Sequence, residues 1–157
     1  MQKYPMTPEG QKRFRAELRH LIEVERGAAV LAIEVARAHG DLSENAEYDY
    51  AKDKQGMVEA KIRDLEAKLG LAEIIDPATL SGDRVMFGAT VTLQDCDTDE
   101  VVTYKLLGSL ESDLKAGILS IESPIGRALL GKSVDDEVVI AVPRGTRTFT
   151  VTNLEYK

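Results

Sequence analysis

Apolar residues recur at alternating steps of three and four along two long segments in the first half of the chain. This spacing is typical of the buried seam of a coiled coil rather than of a strand. The first seam comprises Phe14, Leu18, Leu21, Glu25, Ala28, Ala32 and Val35. The second comprises Tyr48, Ala51, Gln55, Val58, Ile62, Leu65, Leu69 and Ala72. Because a short turn at residues 40–44 joins seams of similar length, the pattern predicts two antiparallel helices that close on each other.

Local signals mark the outer ends of these helices. Thr7 is a good N-cap residue and Pro8 suits the first helical position, so the first helix is expected to begin there. The second helix is expected to end near Gly70, before Asp76 and Pro77. The two predicted helices therefore occupy most of the first half of the chain.

From about residue 80 onward, the chain changes to short runs rich in β-branched residues, which turn formers separate. The runs cover residues 85–87, 90–93, 101–107, 118–121, 138–142 and 149–154. They predict a small antiparallel β domain, with a hairpin turn at 143–146 and a short helix at 124–130. The expected fold class is therefore α+β, with a coiled-coil domain at 1–76, a linker at 77–80 and a globular domain at 81–157.

Composition and charge mainly exclude certain kinds of binding surface, metal site and membrane segment. The net charge is −7, with twelve basic and fifteen acidic side chains in residues 1–76 and eight and twelve in 77–157. Bulk charge therefore marks neither half as a nucleic-acid surface, and any such contact must be local. The single cysteine, Cys96, excludes an internal disulfide and a metal site of the Cys/His kind. No apolar run reaches the length of a signal peptide or membrane span, so we expect a cytoplasmic protein without membrane contact.

Two carboxylates, Asp41 and Glu44, lie three residues apart at the turn between the predicted helices. One interpretation is a capping box, in which Asp41 accepts from the amide of Glu44, Glu44 reaches back, and Gly40 ends the first helix. The other is that both side chains present oxygens to one hard cation such as Mg²⁺. Two carboxylates cannot complete an octahedron, so the ion would be held only where the turn meets another metal-binding site. The local pattern leaves both interpretations open.

Two stretches of the chain resemble a known family. Residues 38–48 read Ala-His-Gly-Asp-Leu-Ser-Glu-Asn-Ala-Glu-Tyr, which is similar to the tip of the bacterial transcript cleavage factors of the GreA/GreB family. Residues 120–132 read Ser-Ile-Glu-Ser-Pro-Ile-Gly-Arg-Ala-Leu-Leu-Gly-Lys and resemble the signature of their C-terminal domain. Shorter matches at 5–7 and 87–91 extend the resemblance over nearly the whole chain. The family fold, an N-terminal antiparallel coiled coil and a C-terminal FKBP-like domain, agrees with the pattern above.

The resemblance implies a transcription elongation factor that enters the secondary channel of RNA polymerase and stimulates cleavage of the 3′ end of backtracked RNA. The globular domain would dock on the channel rim through Glu122, Ser123 and Pro124. Asp41 and Glu44 match the acidic tip residues, which share Mg²⁺ in the polymerase active site. The polymerase supplies the other ligands, so we expect no tightly bound cofactor and no nuclease activity of the chain alone. Ser123 and Pro124 also suit the N-cap and first position of the short helix, and both roles can hold together.

Two basic residues flank the tip in the sequence. Arg37 and Lys52 match the family's basic patch, which contacts phosphates of the nascent RNA 3′ segment. Their alternative role is that of two solvated helix charges. Asp49 and Asp53 dilute this patch, whereas GreB-type members carry a broader one, so the chain is more similar to GreA-type members.

Other functions remain as alternatives. A channel-binding regulator would inhibit polymerase without stimulating cleavage, although Asp41 and Glu44 match the cleavage-competent pattern. A peptidyl-prolyl isomerase would need an aromatic-lined pocket, and the chain has no Trp and only three Phe. A generic coiled-coil adaptor is disfavoured because the seam closes on itself and the two family motifs are too specific. We expect the chain to be a monomer.

Overall fold

The computed structural model describes residues 3–40 and 45–157 and groups the chain into two compact units. The described part of the first unit lies within Gln11–Ala72. The second unit combines Lys3–Gly10 with Glu73–Lys157, so it includes residues 77–80, which the sequence predicts as a linker. Along the sequence, the chain therefore leaves the second unit after Gly10 and returns to it at Glu73.

The first unit is a helical hairpin. Its helical segments are α1 (Pro8–His20), whose first three residues are grouped with the second unit, a π-helical turn (Leu21–Glu25), α2 (Arg26–Arg37) and α3 (Ala46–Gly70). α1 begins where the sequence predicts, because Gly10 N donates a 3.0 Å hydrogen bond to Thr7 Oγ1 and Pro8 follows the cap. The end of α3 at Gly70 also confirms the prediction.

The π-helical turn changes which face of α2 is buried. Phe14 and Leu21 are buried, as the first seam predicts. Beyond the turn the prediction is wrong: Val35 is 51% exposed, whereas Ala29 and Ala36 are only 4% and 2% exposed. Ala28 and Ala32 are exposed as well. A π turn closes its hydrogen bonds over one residue more than an α turn, so it advances the buried stripe by one position.

α3 follows the predicted seam and packs against α2. Ala51, Val58, Ile62 and Leu65 are all buried, at spacings of seven, four and three residues. An ion pair joins the two helices, since Arg26 Nε and Nη2 donate to the Glu59 carboxylate oxygens at 2.8 and 3.0 Å. In the parts of the chain that the structure describes, no helix combines the length and apolar content that crossing a membrane requires.

The second unit is built on a five-stranded sheet. Its strands are β3 (Ala89–Asp95), β4 (Val101–Leu107), β5 (Ile118–Ser120), β6 (Glu137–Val142) and β7 (Gly145–Tyr156). Their order across the sheet is β5-β4-β3-β7-β6. A separate two-stranded sheet joins β1 (Tyr4–Met6) to β2 (Ala72–Ile74). A short helix, α4 (Pro124–Leu129), lies between β5 and β6 in the sequence and matches the predicted helix closely.

The sheet is mixed rather than purely antiparallel, which corrects the prediction. β3 pairs antiparallel with both β4 and β7, and β6 forms an antiparallel hairpin with β7 across the predicted turn. β5, however, runs parallel to β4, with Lys105 opposite Ile118 and Leu107 opposite Ser120. The intervening residues, 108–117, contain two 3₁₀ turns and are long enough to return the chain to the start of the next strand.

The predicted strand at residues 85–87 is also wrong. Val85 is fully buried, but its backbone bonds to a loop: Val85 N donates to Lys132 O at 2.8 Å, and Gly131 N donates to Val85 O at 2.7 Å. A short apolar run is compatible with a buried loop as well as with a strand, so the sequence pattern could not distinguish the two. The core of the sheet contains Val85, Ala89, Val91, Leu93, Leu106, Leu119, Leu129, Val138, Ile140, Phe149 and Val151.

A buried carboxylate fastens the N-terminal segment within the second unit. Thr7 N donates to Glu111 Oε2 at 3.0 Å, and Thr7 Oγ1 donates to Glu111 Oε1. Thr7 and Glu111 are separated by 104 residues in the sequence, and both are buried. A Cβ added to Gly10 would lie closer than 3.0 Å to the Glu111 carboxylate. Gly10 is therefore required by packing.

Gly10→Ala is expected to destabilise the protein by about 1 to 2 kcal/mol. Alanine favours a helix by ~1 kcal/mol over glycine, but here its Cβ displaces the Glu111 carboxylate from Thr7 and costs buried charge-assisted hydrogen bonds. Gly56→Ala is the matched control, because nothing lies within 4 Å of its added Cβ, and it should stabilise α3 by up to ~1 kcal/mol. Urea titrations of both variants provide the measurement, and a Gly10→Ala protein at least as stable as the parent would contradict the packing argument.

A second buried carboxylate organises the turn between β3 and β4. Asp95 Oδ1 accepts from Asp97 N at 2.8 Å and from Thr98 N at 3.2 Å, while Arg147 Nε donates to Asp95 Oδ2 at 2.8 Å. The bond from the Asp97 amide, and next the bond from Arg147, hold the pKa of Asp95 below its ordinary value of 3.8. The ionised carboxylate therefore serves the fold of this turn.

This depressed pKa predicts an acid-sensitive contribution to stability. A carboxylate with a lowered folded-state pKa stabilises the fold above its unfolded pKa, and that stability is lost as the pH falls through the folded value. We expect Asp95→Asn to be less stable than the parent at neutral pH, with the difference shrinking as the pH falls below 3.8. Melting temperatures measured across the pH range test this, with Arg147→Gln as the partner variant that should show the same trend. A difference that stays constant down to low pH would contradict it.

Candidate functional site

The described ends of α2 and α3 are joined through one side chain. Asn45 Nδ2 donates to Ala36 O, near the end of α2, at 2.6 Å. Asn45 Oδ1 accepts from Tyr48 N at 3.0 Å and so caps the first turn of α3. Gly40, beyond the end of α2, has φ of +113°, a backbone conformation that favours glycine. These contacts fix the start of α3 relative to the end of α2.

The predicted metal and catalytic residues, Asp41 and Glu44, lie outside the described residues. The surrounding residues still bear on the capping-box interpretation, because α3 begins at Ala46 and its N-cap is Asn45 rather than Asp41. The N-cap of α3 is therefore not Asp41, and the proposed contacts between Asp41 and Glu44 themselves lie outside the described residues. Within residues 3–40 and 45–157, no three His, Cys, Asp or Glu side chains are grouped so as to hold a metal ion.

The structure brings the two predicted basic residues to one aromatic ring. Arg37 Cζ lies 6.0 Å and Lys52 Nζ 5.6 Å from the centroid of the Tyr48 ring, which is half-buried. Hydrogen bonding from Arg37 is the largest influence on the phenol and, with the positive charge of Lys52, holds the pKa of Tyr48 below its ordinary value of 10.0. Both cations are themselves exposed. The arrangement therefore presents two accessible positive charges close to the turn between the helices.

Tyr48 is the functional candidate that the sequence analysis missed. Its heptad position assigned it to the buried seam, whereas the structure makes it the shared contact of Arg37 and Lys52. The four-residue spacing of Tyr48 and Lys52 on one helix could have indicated their contact. No local pattern connects either residue to Arg37, which lies on the other helix.

His39 has one acidic neighbour near this end of the hairpin. Its Nδ1 lies 3.8 Å from Glu47 Oε2, and both side chains are exposed. A contact of this length between two exposed side chains contributes little to stability.

The predicted docking residues lie in the second unit, at the connection from β5 to α4. Ser123 is the N-cap of α4, because Gly126 N donates to Ser123 Oγ at 3.0 Å, and Pro124 follows it. Ser123 Oγ also donates to Ser120 O at 2.7 Å, so its hydroxyl is used on both sides. Glu122 and Pro124 are exposed, and Ser123 is half-buried. The structure thus confirms the capping role of Ser123, and the docking role stays a prediction.

Comparisons with known proteins cover both units. Residues 4–74 match the family model for the N-terminal region of transcription elongation factors, and residues 80–156 match the model for the GreA/GreB C-terminal region. The chain is 52% identical to the transcription elongation factor GreA of Syntrophotalea carbinolica, over 99% of this chain and 98% of that protein. It is 55% identical to the factor of the same name from Sphingopyxis alaskensis, with the same coverage of 99% and 98%.

Among solved structures, the crystal structure of GreA factor homolog 1 from Thermus thermophilus is 26% identical, with a TM-score of 0.46, over 98% of this chain and 99% of that one. That score is too low to bear on the fold, and the assignment rests on the two family models and the full-length relatives. The chain therefore belongs to the GreA/GreB family of transcription elongation factors.

Proposed function

We propose that this chain rescues arrested transcription by stimulating RNA polymerase to cleave the 3′ end of backtracked RNA. In this proposal the helical hairpin enters the secondary channel, and the second unit docks on the channel rim. The relatives are named transcription elongation factors, which supports a role that promotes elongation over the alternative, a channel-binding inhibitor.

The observation that carries the proposal is the cap of α3. Because Asn45 accepts from Tyr48 N, α3 does not need Asp41 or Glu44 as its N-cap. The carboxylates of Asp41 and Glu44 are therefore not required to cap α3, and in the sequence they lie between the two helices of the hairpin. Their oxygens are the hard ligands that Mg²⁺ prefers, and two of them leave coordination positions for ligands from the polymerase.

The packing of the hairpin suits a narrow passage. The interface between α2 and α3 buries Ala29, Ala36 and Ala51, and small side chains allow helix axes to approach closely. With 25 residues, α3 is about 38 Å long at ~1.5 Å per residue. We propose that these helices form a coiled coil, since the buried positions of α3 keep heptad spacing, and that the second unit is FKBP-like.

The proposed division of labour places the catalytic centre in the polymerase. Two Mg²⁺ ions, when bound in the polymerase active site, would supply the chemistry of phosphodiester hydrolysis, one for activation of the attacking water and the other for stabilisation of the leaving oxygen. Asp41 and Glu44 would contribute carboxylate ligands, and Arg37 and Lys52 would contact phosphates of the extruded RNA. The chain would then act as a monomer and would have no nuclease activity of its own.

The central experiment uses purified RNA polymerase halted in a backtracked complex with end-labelled RNA. The chain is expected to accelerate release of short 3′ fragments and to restore elongation when nucleotides are added. It should cleave no free RNA in the presence of Mg²⁺ alone. Inhibition of elongation without fragment release would instead identify the channel-binding inhibitor.

Combining Glu122→Gln with Pro124→Ala is expected to raise the concentration of the chain needed for half-maximal cleavage, with excess protein restoring the full rate. Both side chains are exposed, so the change should weaken docking without unfolding the second unit. Ser123 is left intact because removing its cap would cost about 1 kcal/mol and confuse docking with stability. Glu137→Gln, also exposed and of equal charge change, is the control. An unchanged half-maximal concentration would remove residues 122–124 from the interface.

A further inference from the structure

The ring of Tyr48 is the point at which the two exposed cations of the hairpin converge. Arg37 reaches it from α2 and Lys52 from one turn further along α3, at 6.0 and 5.6 Å from the ring centroid. Contacts of this length between a cation and an aromatic face are attractive, because the ring presents negative charge on its face. One uncharged side chain therefore makes attractive contacts with positive charges from both helices.

The aromatic partner affects how much positive charge Arg37 and Lys52 can offer to a ligand. Within residues 3–40 and 45–157, no carboxylate lies within ion-pair distance of Arg37 or Lys52. A carboxylate partner would neutralise a cation, whereas a ring restrains it and leaves its full charge. Arg37 and Lys52 are thus restrained in position but remain able to bind an anion.

The position of the ring is itself fixed by backbone contacts. Asn45 binds Tyr48 N on one side and Ala36 O on the other, so the first turn of α3 is tied to the last turn of α2. Ala36 is the immediate neighbour of Arg37 and is buried. The ring and the two cations therefore belong to one connected arrangement.

We propose that Tyr48 is a positioning residue that holds Arg37 and Lys52 as a preformed two-cation clamp for phosphates of the extruded RNA. The inference rests on the proposed function, and it adds the residue that orders the basic patch. Restraining long, flexible side chains before binding reduces the entropy lost when they contact a ligand, so the ring improves RNA contact without touching RNA.

The test compares three single variants on two backtracked complexes, one with a single extruded nucleotide and one with several. Tyr48→Leu removes the ring, Tyr48→Phe keeps it, and Tyr50→Leu removes an aromatic side chain that is 70% exposed on the same helix. On the longer RNA, Tyr48→Leu should raise the concentration of the chain needed for half-maximal cleavage. The expected increase is about two- to fivefold for each cation released, because the free energy of an exposed cation–π contact corresponds to that ratio. Tyr48→Phe should restore it to within about twofold of the parent, because a phenyl ring also attracts cations. Tyr50→Leu should match the parent.

A structural defect and a positioning defect separate in this design. Loss of helix stability would reduce cleavage on both complexes alike, whereas loss of phosphate contacts should appear only where enough RNA is extruded to reach the clamp. The same substitution is then repeated in an Arg37→Gln/Lys52→Gln background. There Tyr48→Leu should have no further effect, because the residues through which it acts are gone.

Three results would overturn the inference. The first is a Tyr48→Leu protein with parental activity on the longer RNA, the second is an equal loss on both complexes, and the third is an equal loss in the background that lacks both cations. A parent chain that stimulates cleavage on neither complex would overturn the proposed function itself. If the parent stimulates cleavage normally and Tyr48→Leu has the same activity, only the clamp is rejected and the proposed function stands.

Discussion

Combining Asp41→Asn with Glu44→Gln is expected to abolish stimulated cleavage while binding to polymerase and thermal stability stay close to those of the parent. Both substitutions keep the shape of the side chain and remove its charge, and neutral amide oxygens are much weaker ligands for a hard cation. Because Asn45 provides the N-cap of α3, the stability change should be well under ~1 kcal/mol. Cleavage, binding by competition and melting temperature are to be measured on the same preparations.

The matched control for this prediction is Asn45→Ala, which keeps both carboxylates and removes the cap. It should lower stability by about 1 kcal/mol and, below its melting temperature, retain most of the stimulated cleavage at saturating concentration. The opposite response of the two variants separates charge from helix capping. A double variant that cleaves at the parental rate over a range of Mg²⁺ concentrations would remove Asp41 and Glu44 from the chemistry.

Gly126→Ala is expected to destabilise the second unit by about 3 kcal/mol or more. The added Cβ would lie closer than 3.0 Å to the carbonyl oxygen of Ser120, which is backbone and cannot rotate away. That oxygen accepts from both the amide and the hydroxyl of Ser123, at 3.0 and 2.7 Å. Moving it would therefore disturb the cap of α4 together with the packing of the buried Gly126.

The control for Gly126→Ala is Ala128→Gly, which changes one methyl group in the same helix in the opposite direction. It should cost about 1 kcal/mol through helix propensity. Urea unfolding measures both variants, and competition with the parent measures polymerase binding. We expect Gly126→Ala to lose binding as well, since residues 122–124 lie within the four residues that precede it. A Gly126→Ala protein with parental stability would show that the connection from β5 to α4 can relax.

The helical hairpin was predictable because its signals are local and repeated. Thr7 and Pro8 mark the start of α1, and the heptad spacing includes the four buried positions of α3. The buried face of α2 was not predictable, since the π-helical turn at Leu21–Glu25 leaves no distinct residue pattern. A single extra residue within a turn is enough to exchange Ala28 and Val35 for Ala29 and Ala36 at the interface.

The features of the site that could not be predicted likewise depend on contacts that no local sequence pattern indicates. The family resemblance indicates Arg37 and Lys52 separately, but only the pairing of α2 with α3 brings both to Tyr48. The cap of α3 by Asn45 was also missed, because the sequence Asp-Leu-Ser-Glu matched a capping box that begins at Asp41. In the second unit, the contact between Thr7 and Glu111 joins residues 104 positions apart, which no local pattern reports.

The grouping of residues 3–10 with the C-terminal unit has a consequence for recombination between relatives. In the sequence, the hairpin is an insertion within the second unit, with boundaries near residues 10/11 and 72/73. A hybrid cut once, near residue 77, would combine the Thr7 of one parent with the Glu111 of another and depend on their compatibility. Exchange of hairpins alone, cut at both points, keeps the N-terminal segment of each second unit with its own partner. Only the exchange cut at both points therefore leaves the contact between Thr7 and Glu111 within one parent.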